Sequence, residues 1–466
     1  MAPWLSKWRR RSTLSTPSPS IEEPVQKAQH KEDKQHDEEK SFQRSEERIE
    51  VPSTQSTLLL HAIRTPYVHT SSQPIPTVQH PHELLIKVLA AGLNPIDWKA
   101  PDYNFGIPVL PYMSGRELVG TVITPPTSQS SPSRTLRAGD VVLIPSTDYR
   151  DLRKAAFQEY AITSSFNAIR LPAQISINEG AILGVAFASA VLALGICMGL
   201  SFDSILDGPD LLSIVRSIEP ERLPSDIRSE CLEGISLDAR AHAGDWLVIW
   251  GGSSTVAHTM KQLARLAGLR IISVVDSSKH GLRISQHGAI RPDLVVDSHD
   301  PERAVSVIQA ATGGKVRFGF DTLGKESAAH LARALAPALN GVAAVQLPKD
   351  VGEYEAVKSK LPTPPSTPRE LAKSATQQAH LVGLTGVPKS DVPEGVALHN
   401  VPIKLFHEVP EVGEALSMWC EKLLAKGLVI PPDVVGTVDG LGGINEGLDR
   451  LRRREISGGR LVAVLR

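Results

Sequence analysis

Trp246-Leu247-Val248-Ile249-Trp250 runs directly into Gly251-Gly252-Ser253-Ser254-Thr255-Val256-Ala257, an apolar run that turns through two glycines into a helical pattern. The apolar run suits a parallel strand covered on both faces of its sheet. Glycines at the turn let the backbone bend sharply and come close to an anion, and the amides of the first helical turn then point at it. The hydroxyls of Ser253, Ser254 and Thr255 add donors. From Val256 on, Val256, Met260, Leu263, Ala264 and Ala267 fall on one helical stripe, and Gly268 suits the position just past the helix end. This strand, turn and helix form the arrangement that holds a dinucleotide pyrophosphate, although Ser254 and Ala257 stand where its fingerprint has glycine.

The residues that follow extend the unit. Arg270 to Val275 reads as the next strand, ending about 20 residues after the glycines, where such a unit inspects the adenosine ribose. Ser277, Ser278, Lys279 and His280 suit a 2′-phosphate, whereas Asp276 suits a free 2′-hydroxyl and repels a phosphate; two cationic side chains beside two hydroxyls favour NADPH. Beyond them a helix is predicted over 279–287, a strand over 294–297, a helix over 301–311 and a strand over 316–321. Further strands are expected at 341–345 and 380–384, for a doubly wound parallel sheet of six strands in an α/β fold. Asp321-Thr322-Leu323-Gly324 closes its strand at the edge where ligands collect.

The chain has 466 residues, with 50 Lys and Arg against 51 Asp and Glu, a length that suits two domains and a charge that implies no nucleic acid. Its three cysteines, Cys197, Cys231 and Cys420, form no C-x-x-C pair, which excludes a structural zinc lobe of cysteines and argues for a reducing compartment. No uninterrupted apolar run reaches bilayer length; residues 181–200 come nearest, and their Gly, Ala and Ser favour a helix buried between domains. Residues 1–55 are predicted to form a disordered arm, rich in Glu, Lys, Gln, Ser and Pro. Its first residues, basic and free of acid until Glu22, leave a mitochondrial address as the alternative to a cytoplasmic location. Residues 203–240, expected as short surface helices, and residues 349–378, with a Pro-rich loop, read as insertions.

Four further motifs carry a family resemblance. They are Ala91-Gly92-Leu93-Asn94-Pro95-Ile96-Asp97-Trp98-Lys99, Ser114-Gly115-Arg116-Glu117-Leu118-Val119-Gly120, Gly139-Asp140-Val141-Val142 and Ser457-Gly458-Gly459-Arg460-Leu461-Val462. From Leu58 onward the chain resembles the medium-chain dehydrogenase/reductase superfamily, in particular its zinc-independent branch of quinone oxidoreductases and fungal trans-acting enoyl reductases. The resemblance implies a GroES-like, β-rich catalytic domain over 56–190, completed by 408–466, beside a Rossmann domain over 191–407. In zinc-dependent relatives the first two motifs supply a cysteine and a histidine to the metal; Asn94 and Arg116 occupy those places here, so no metal site is expected.

The same resemblance implies reduction of a carbon–carbon double bond conjugated to a carbonyl, in an enoyl thioester, quinone or enone. Charge gathers on the carbonyl oxygen, where donors are needed. Lys99, Tyr103 and Ser189 are the candidate catalytic residues, with Tyr103 as a proton donor by similarity and Ser189 as a donor from the interdomain helix. Asn94 and Asp97 are expected to shape the loop and meet the nicotinamide ribose. Gly251, Gly252, Ser253, Ser254, Thr255, Val256 and Asp321 are expected around the cofactor, Leu384 and Thr385 to face the nicotinamide, and Arg460 to reach the cofactor or an acyl carrier's phosphate. His258, on the exposed side of its helix, His399 and His407 read as surface or packing residues. The expected partner is a small-molecule or acyl-thioester substrate, free or carrier-bound, with no membrane span and a monomeric or homodimeric chain. A non-catalytic NADPH-binding partner or scaffold protein and a metal-free alcohol dehydrogenase remain alternatives.

Overall fold

The computed structural model describes residues 51–128, 135–336 and 378–465. The expectations for the arm before residue 51, for a strand at 341–345 and for the Pro-rich loop through 377 fall outside the described residues.

Strands β1 (Thr54–Leu59) and β2 (Val68–Pro74) pair antiparallel. A seven-stranded sheet follows, of β3 (Glu83–Gly92), β4 (Glu117–Thr124), β5 (Val141–Pro145), β6 (Tyr160–Ser164), β7 (Ile169–Arg170), β14 (Val434–Asp439) and β15 (Arg460–Val464). Its order is β14-β15-β3-β4-β5-β7, with β6 also paired to β3, so the last strand of the chain lies against the first motif. The two-residue period of β3 sends Leu84, Ile86 and Val88 to an inner face with Leu118, Val122, Val142, Ile144 and Phe157.

The second sheet holds β8 (Trp246–Trp250), β9 (Arg270–Val275), β10 (Leu294–Asp297), β11 (Phe318–Asp321), β12 (Ala379–Gly383) and β13 (Val396–Asn400). Every pair in it is parallel, in the order β10-β9-β8-β11-β12-β13. This is the doubly wound order, and its direction reverses at β8, between β9 and β11, where a crevice opens at the carboxyl ends of the strands. Among the described residues the sheet has six parallel strands, one of which, β13, the sequence pattern did not single out. Strand β11 begins at Phe318, two residues later than predicted. In place of one helix over 279–287, a π-helical turn at Ser277–Gly281 leads into a helix at Leu282–Gln286.

Helices α1 (Pro95–Tyr103), α2 (Ile177–Gly180), α3 (Gly184–Leu192), α4 (Leu211–Arg216), α5 (Arg228–Glu233) and α6 (Thr255–Leu266) matter for the site. The stretch Ile177–Cys197 is long and apolar enough to cross a membrane by length and composition alone, but from Gly180 on nearly all of its residues are buried inside the fold. They share the largest core with Leu247 and Ile249 of β8, Met260 and Leu263 of α6 and Trp419. Because β9, with the core residues of β8, covers one side of α6 and α3 another, every residue from Thr255 to Ala264 is buried. The reading of His258 as exposed is therefore corrected: it is 4% exposed, and its Nε2 lies 3.3 Å from the Ile430 carbonyl. Residues 203–240 do form short helices, but Leu211, Leu212, Val215 and Cys231 on α4 and α5 belong to that same core, so these helices are not confined to the surface.

Candidate functional site

The turn after β8 has little room for any residue but glycine. Gly251 takes a φ of +79°, and a Cβ there would lie 2.2 Å from Thr322 Oγ1. A Cβ on Gly252 would lie 1.9 Å from Ser273 Oγ. The Gly251 and Gly252 amides both donate to the Val274 carbonyl, at 3.1 and 3.0 Å, which ties the turn to β9. Ser254 caps α6, its Oγ accepting from the Ala257 amide at 3.2 Å, so this hydroxyl serves the helix. The Thr255 and Val256 amides, at the first two positions of α6, have no intrahelical acceptor and remain for an anion. Ser253 is half-buried beside them.

Beneath the turn lies Lys261, which sequence reading missed. It is fully buried, and its Nζ donates to the Gly252 carbonyl at 2.8 Å. Burial, with a smaller contribution from Arg283, pushes its pKa down to about 7. Nothing in the helical pattern marks it, since it falls off the apolar stripe.

At the end of β9, Asp276 accepts from Ser278 Oγ at 2.5 Å, from the Lys279 amide at 3.2 Å and from Lys279 Nζ at 3.0 Å. These bonds hold its carboxyl well below the usual range. Ser278 and Lys279 are exposed, and the Ser277 amide donates to Asp297 Oδ1 at 3.0 Å. His280 turns inward instead, with Nε2 2.7 Å from Ser457 Oγ, beside the closing motif.

Asn94 heads α1 in a capping box with Asp97. The Asn94 amide donates to Asp97 Oδ2 at 2.8 Å, and Ser114 Oγ donates to Asp97 Oδ1 at 3.0 Å. Burial pushes the Asp97 carboxyl up, against the opposing pull of Arg116. Asn94 Nδ2 donates to Glu117 Oε1 at 3.0 Å, the Val185 amide at the start of α3 donates to Glu117 Oε2 at 2.9 Å, and Arg460 Nη1 reaches Glu117 Oε1 at 3.3 Å. Arg460 Nη2 donates to Thr255 Oγ1. One chain of polar contacts thus joins the first two motifs, the closing motif and the start of α6. The anion site at the turn and the Asn94 loop are parts of one place, and its donors fit a dinucleotide pyrophosphate.

The other expected residues lie around this frame. Lys99 is half-buried on α1, its Nζ 5.8 Å from the Trp98 ring centre. Tyr103, 67% exposed at the end of α1, lines a hollow with Arg64, Pro101, Asn445 and Arg452 rather than joining the Glu117 network. Ser189 is buried within α3. Asp321 is buried, with Oδ1 accepting from the Leu323 and Gly324 amides at 3.0 and 2.8 Å, and burial raises its pKa. Leu384 and Thr385 follow β12; the Leu384 amide donates to the Asp321 carbonyl at 2.9 Å, so both loops gather at the switch point beside Gly251. Among the described residues no three His, Cys, Asp or Glu side chains are grouped to hold a metal ion.

Comparison with known proteins agrees with this architecture. The alcohol dehydrogenase GroES-like domain family matches residues 80–173. A trans-enoyl reductase of Cordyceps militaris is 26% identical over 427 residues, covering 89% of this chain and 99% of that protein. One of Aspergillus niger is 28% identical over 287 residues, 59% of this chain, and the match spans 64% of that protein's own length. Among solved structures, CurK enoyl reductase and the quinone oxidoreductase of Pseudomonas syringae each superpose with a TM-score of 0.58 at 14% identity, covering 88% of this chain and 99% of theirs. With the GroES-like sheet, the doubly wound sheet and the Asn94-to-Thr255 network in one chain, this protein is similar in sequence and in fold to the enoyl reductase-like branch of the medium-chain dehydrogenase/reductase superfamily.

Proposed function

We propose that the chain is an NADPH-dependent, zinc-independent reductase of carbon–carbon double bonds conjugated to a carbonyl, acting on an enoyl thioester, quinone or enone. The observation that carries this reading is the junction at Arg460, which sets the anion-binding start of α6 against the loop of Asn94 and Glu117. A bound reduced nicotinamide dinucleotide supplies the hydride. Thr255, Val256 and Arg460 hold its pyrophosphate over the close backbone approach that Gly251 and Gly252 allow, and Ser277, Ser278 and Lys279 meet its 2′-phosphate once Lys279 exchanges Asp276 for that stronger anion. The substrate's β-carbon receives the hydride, its π electrons pass to the carbonyl oxygen as an enolate, and a proton reaches the α-carbon. Asn94 and Asp97 hold the loop, and Lys99 stands as a donor on its helix.

Two places where zinc-dependent relatives carry metal ligands are filled by Asn94, bonded to Glu117, and Arg116, bonded to Tyr112, which supports chemistry without a metal. Titration with NADPH and NADH, followed by fluorescence, is expected to give saturable binding that is tighter for NADPH. Product analysis is expected to show a saturated carbonyl compound. An alcohol product, the absence of saturable binding, or stoichiometric zinc in protein purified without added metal would each overturn the corresponding part of this reading.

A further inference from the structure

Arg116 is 8% exposed, yet among the described residues no carboxylate lies within ion-pair distance of it. Its one direct hydrogen bond runs from Nη2 to the Tyr112 hydroxyl, at 2.7 Å. The guanidinium carbon lies 5.9 Å from the Tyr112 ring centre and 5.8 Å from that of Tyr149, a half-buried residue in the loop after β5. Asp97, whose carboxyl Arg116 pulls down against the effect of its burial, spends its oxygens on Ser114 and on the Asn94 amide.

The backbone holds this cation firmly. Gly115, at a φ of +99°, lies so close to Ala156 and Phe157 that a Cβ would come within 2.8 Å of the Phe157 amide nitrogen. The Ala156 and Phe157 amides donate to the Gly115 and Ser114 carbonyls, and the Ser146 amide donates to the Arg116 carbonyl. A buried cation with no anion is costly, and a fold tolerates that cost where an anion arrives. A guanidinium also keeps its charge at every working pH and holds several donors in a fixed fork.

We propose that Arg116 is the group that takes the substrate's carbonyl oxygen and stabilises the negative charge that gathers there, supplying the charge a metal would otherwise bring to this position. The assignment rests on the double-bond reductase reading above. The carbonyl is neutral when it binds and anionic after the hydride has reached the β-carbon, so a fixed cation stabilises the later state more than the earlier one and raises kcat. The proton that completes the product goes to the α-carbon and leaves Arg116 unchanged.

The test uses the full chain with a crotonyl N-acetylcysteamine thioester and a simple enone. Arg116→Gln is expected to lower kcat by roughly a hundredfold to a thousandfold, with NADPH affinity unchanged. Millimolar guanidinium is expected to restore part of the rate of Arg116→Ala, which a merely structural role would not allow. If Arg116→Gln does not fold, Arg116→Lys carries the test, because it keeps the charge and loses the fork; a loss of tenfold or more in kcat supports the assignment. A wild-type rate in Arg116→Gln or Arg116→Lys, or a rise in KM alone, overturns it. A wild-type chain inactive on every substrate brings down the functional reading, and this one with it, whereas an active wild type with an equally active Arg116→Gln brings down the assignment of Arg116 alone.

Discussion

Lys261 shows how a single buried charge governs the ground under a binding turn. Its ammonium holds the Gly252 carbonyl, but taking it out of water lowers its pKa to about 7 from an ordinary 10.5. The unfolded chain therefore binds a proton here that the folded chain releases between those two values. Stability from this group is fully present above the unfolded pKa and is lost as pH falls toward about 7, a change on the order of 5 kcal/mol by linkage. Lys261→Met removes that dependence and forfeits one hydrogen bond of about 1 kcal/mol. The variant should be more stable than wild type near neutral pH, and the gap should close as pH rises toward 10. Urea unfolding of both proteins across that range checks it; a difference that does not change with pH would rule the explanation out.

At the scale of elements, the edge of the second sheet is tied to α5 by a line of imidazoles. His380 on β12 shares a 3.0 Å hydrogen bond with His399 on β13, and His399 Nδ1 lies 2.8 Å from Glu230 Oε1. His380 is buried against Phe318, and desolvation is the main cause that lowers its pKa to about 4. The folded state thus needs it neutral, and the unfolded chain protonates it below 6.5. Stability from this group is complete above pH 6.5 and is lost as pH falls through about 4, on the order of 3 kcal/mol. His380→Phe should flatten the acid limb of a Tm profile, leaving the share due to His258 and His407, whose pKa values also fall to about 4. An acid limb as steep as that of wild type would count against the tie.

The same elements show what a pattern of residues can reveal. Strands β8, β9 and β10 begin and end where apolar runs and turn residues predict, and α6 ends at Leu266 with Gly268, at a φ of +79°, just past its cap. Strand β13 escaped notice because Val396-Ala397-Leu398-His399-Asn400 carries neither a strict alternation nor an unbroken apolar run. His258 was misread for a different reason. The stripe on α6 tells which side meets the sheet, but only the fold shows that α3 and the Ile430 segment close over the rest. In the site, the glycine turn and the Asn94 loop were legible as local motifs. The bonds among Glu117, Arg460 and Thr255 join residues more than 200 positions apart, and local spacing carries no trace of them.

At the scale of the whole molecule, that junction couples the integrity of the fold to its ligand. Glu117 is 1% exposed, and Arg460 is the cation that neutralises it while also standing at the start of α6. Removing Arg460 alone leaves a buried carboxylate unpaired, which costs about 3–5 kcal/mol. Arg460→Met should therefore lower stability sharply, whereas the double variant Glu117→Gln with Arg460→Met should regain most of it, because no uncompensated charge remains. Binding should not follow the same course. The double variant still lacks the positive charge beside the Thr255 and Val256 amides, so NADPH should raise its Tm much less than it raises that of wild type, in line with an affinity loss of roughly tenfold, or about 1.4 kcal/mol. Thermal unfolding of the three proteins with and without saturating NADPH separates the two roles. Recovery of both stability and the NADPH-induced rise in the double variant would make Arg460 a purely structural partner of Glu117; recovery of stability alone makes one side chain responsible for joining the two sheets and for holding the dinucleotide between them.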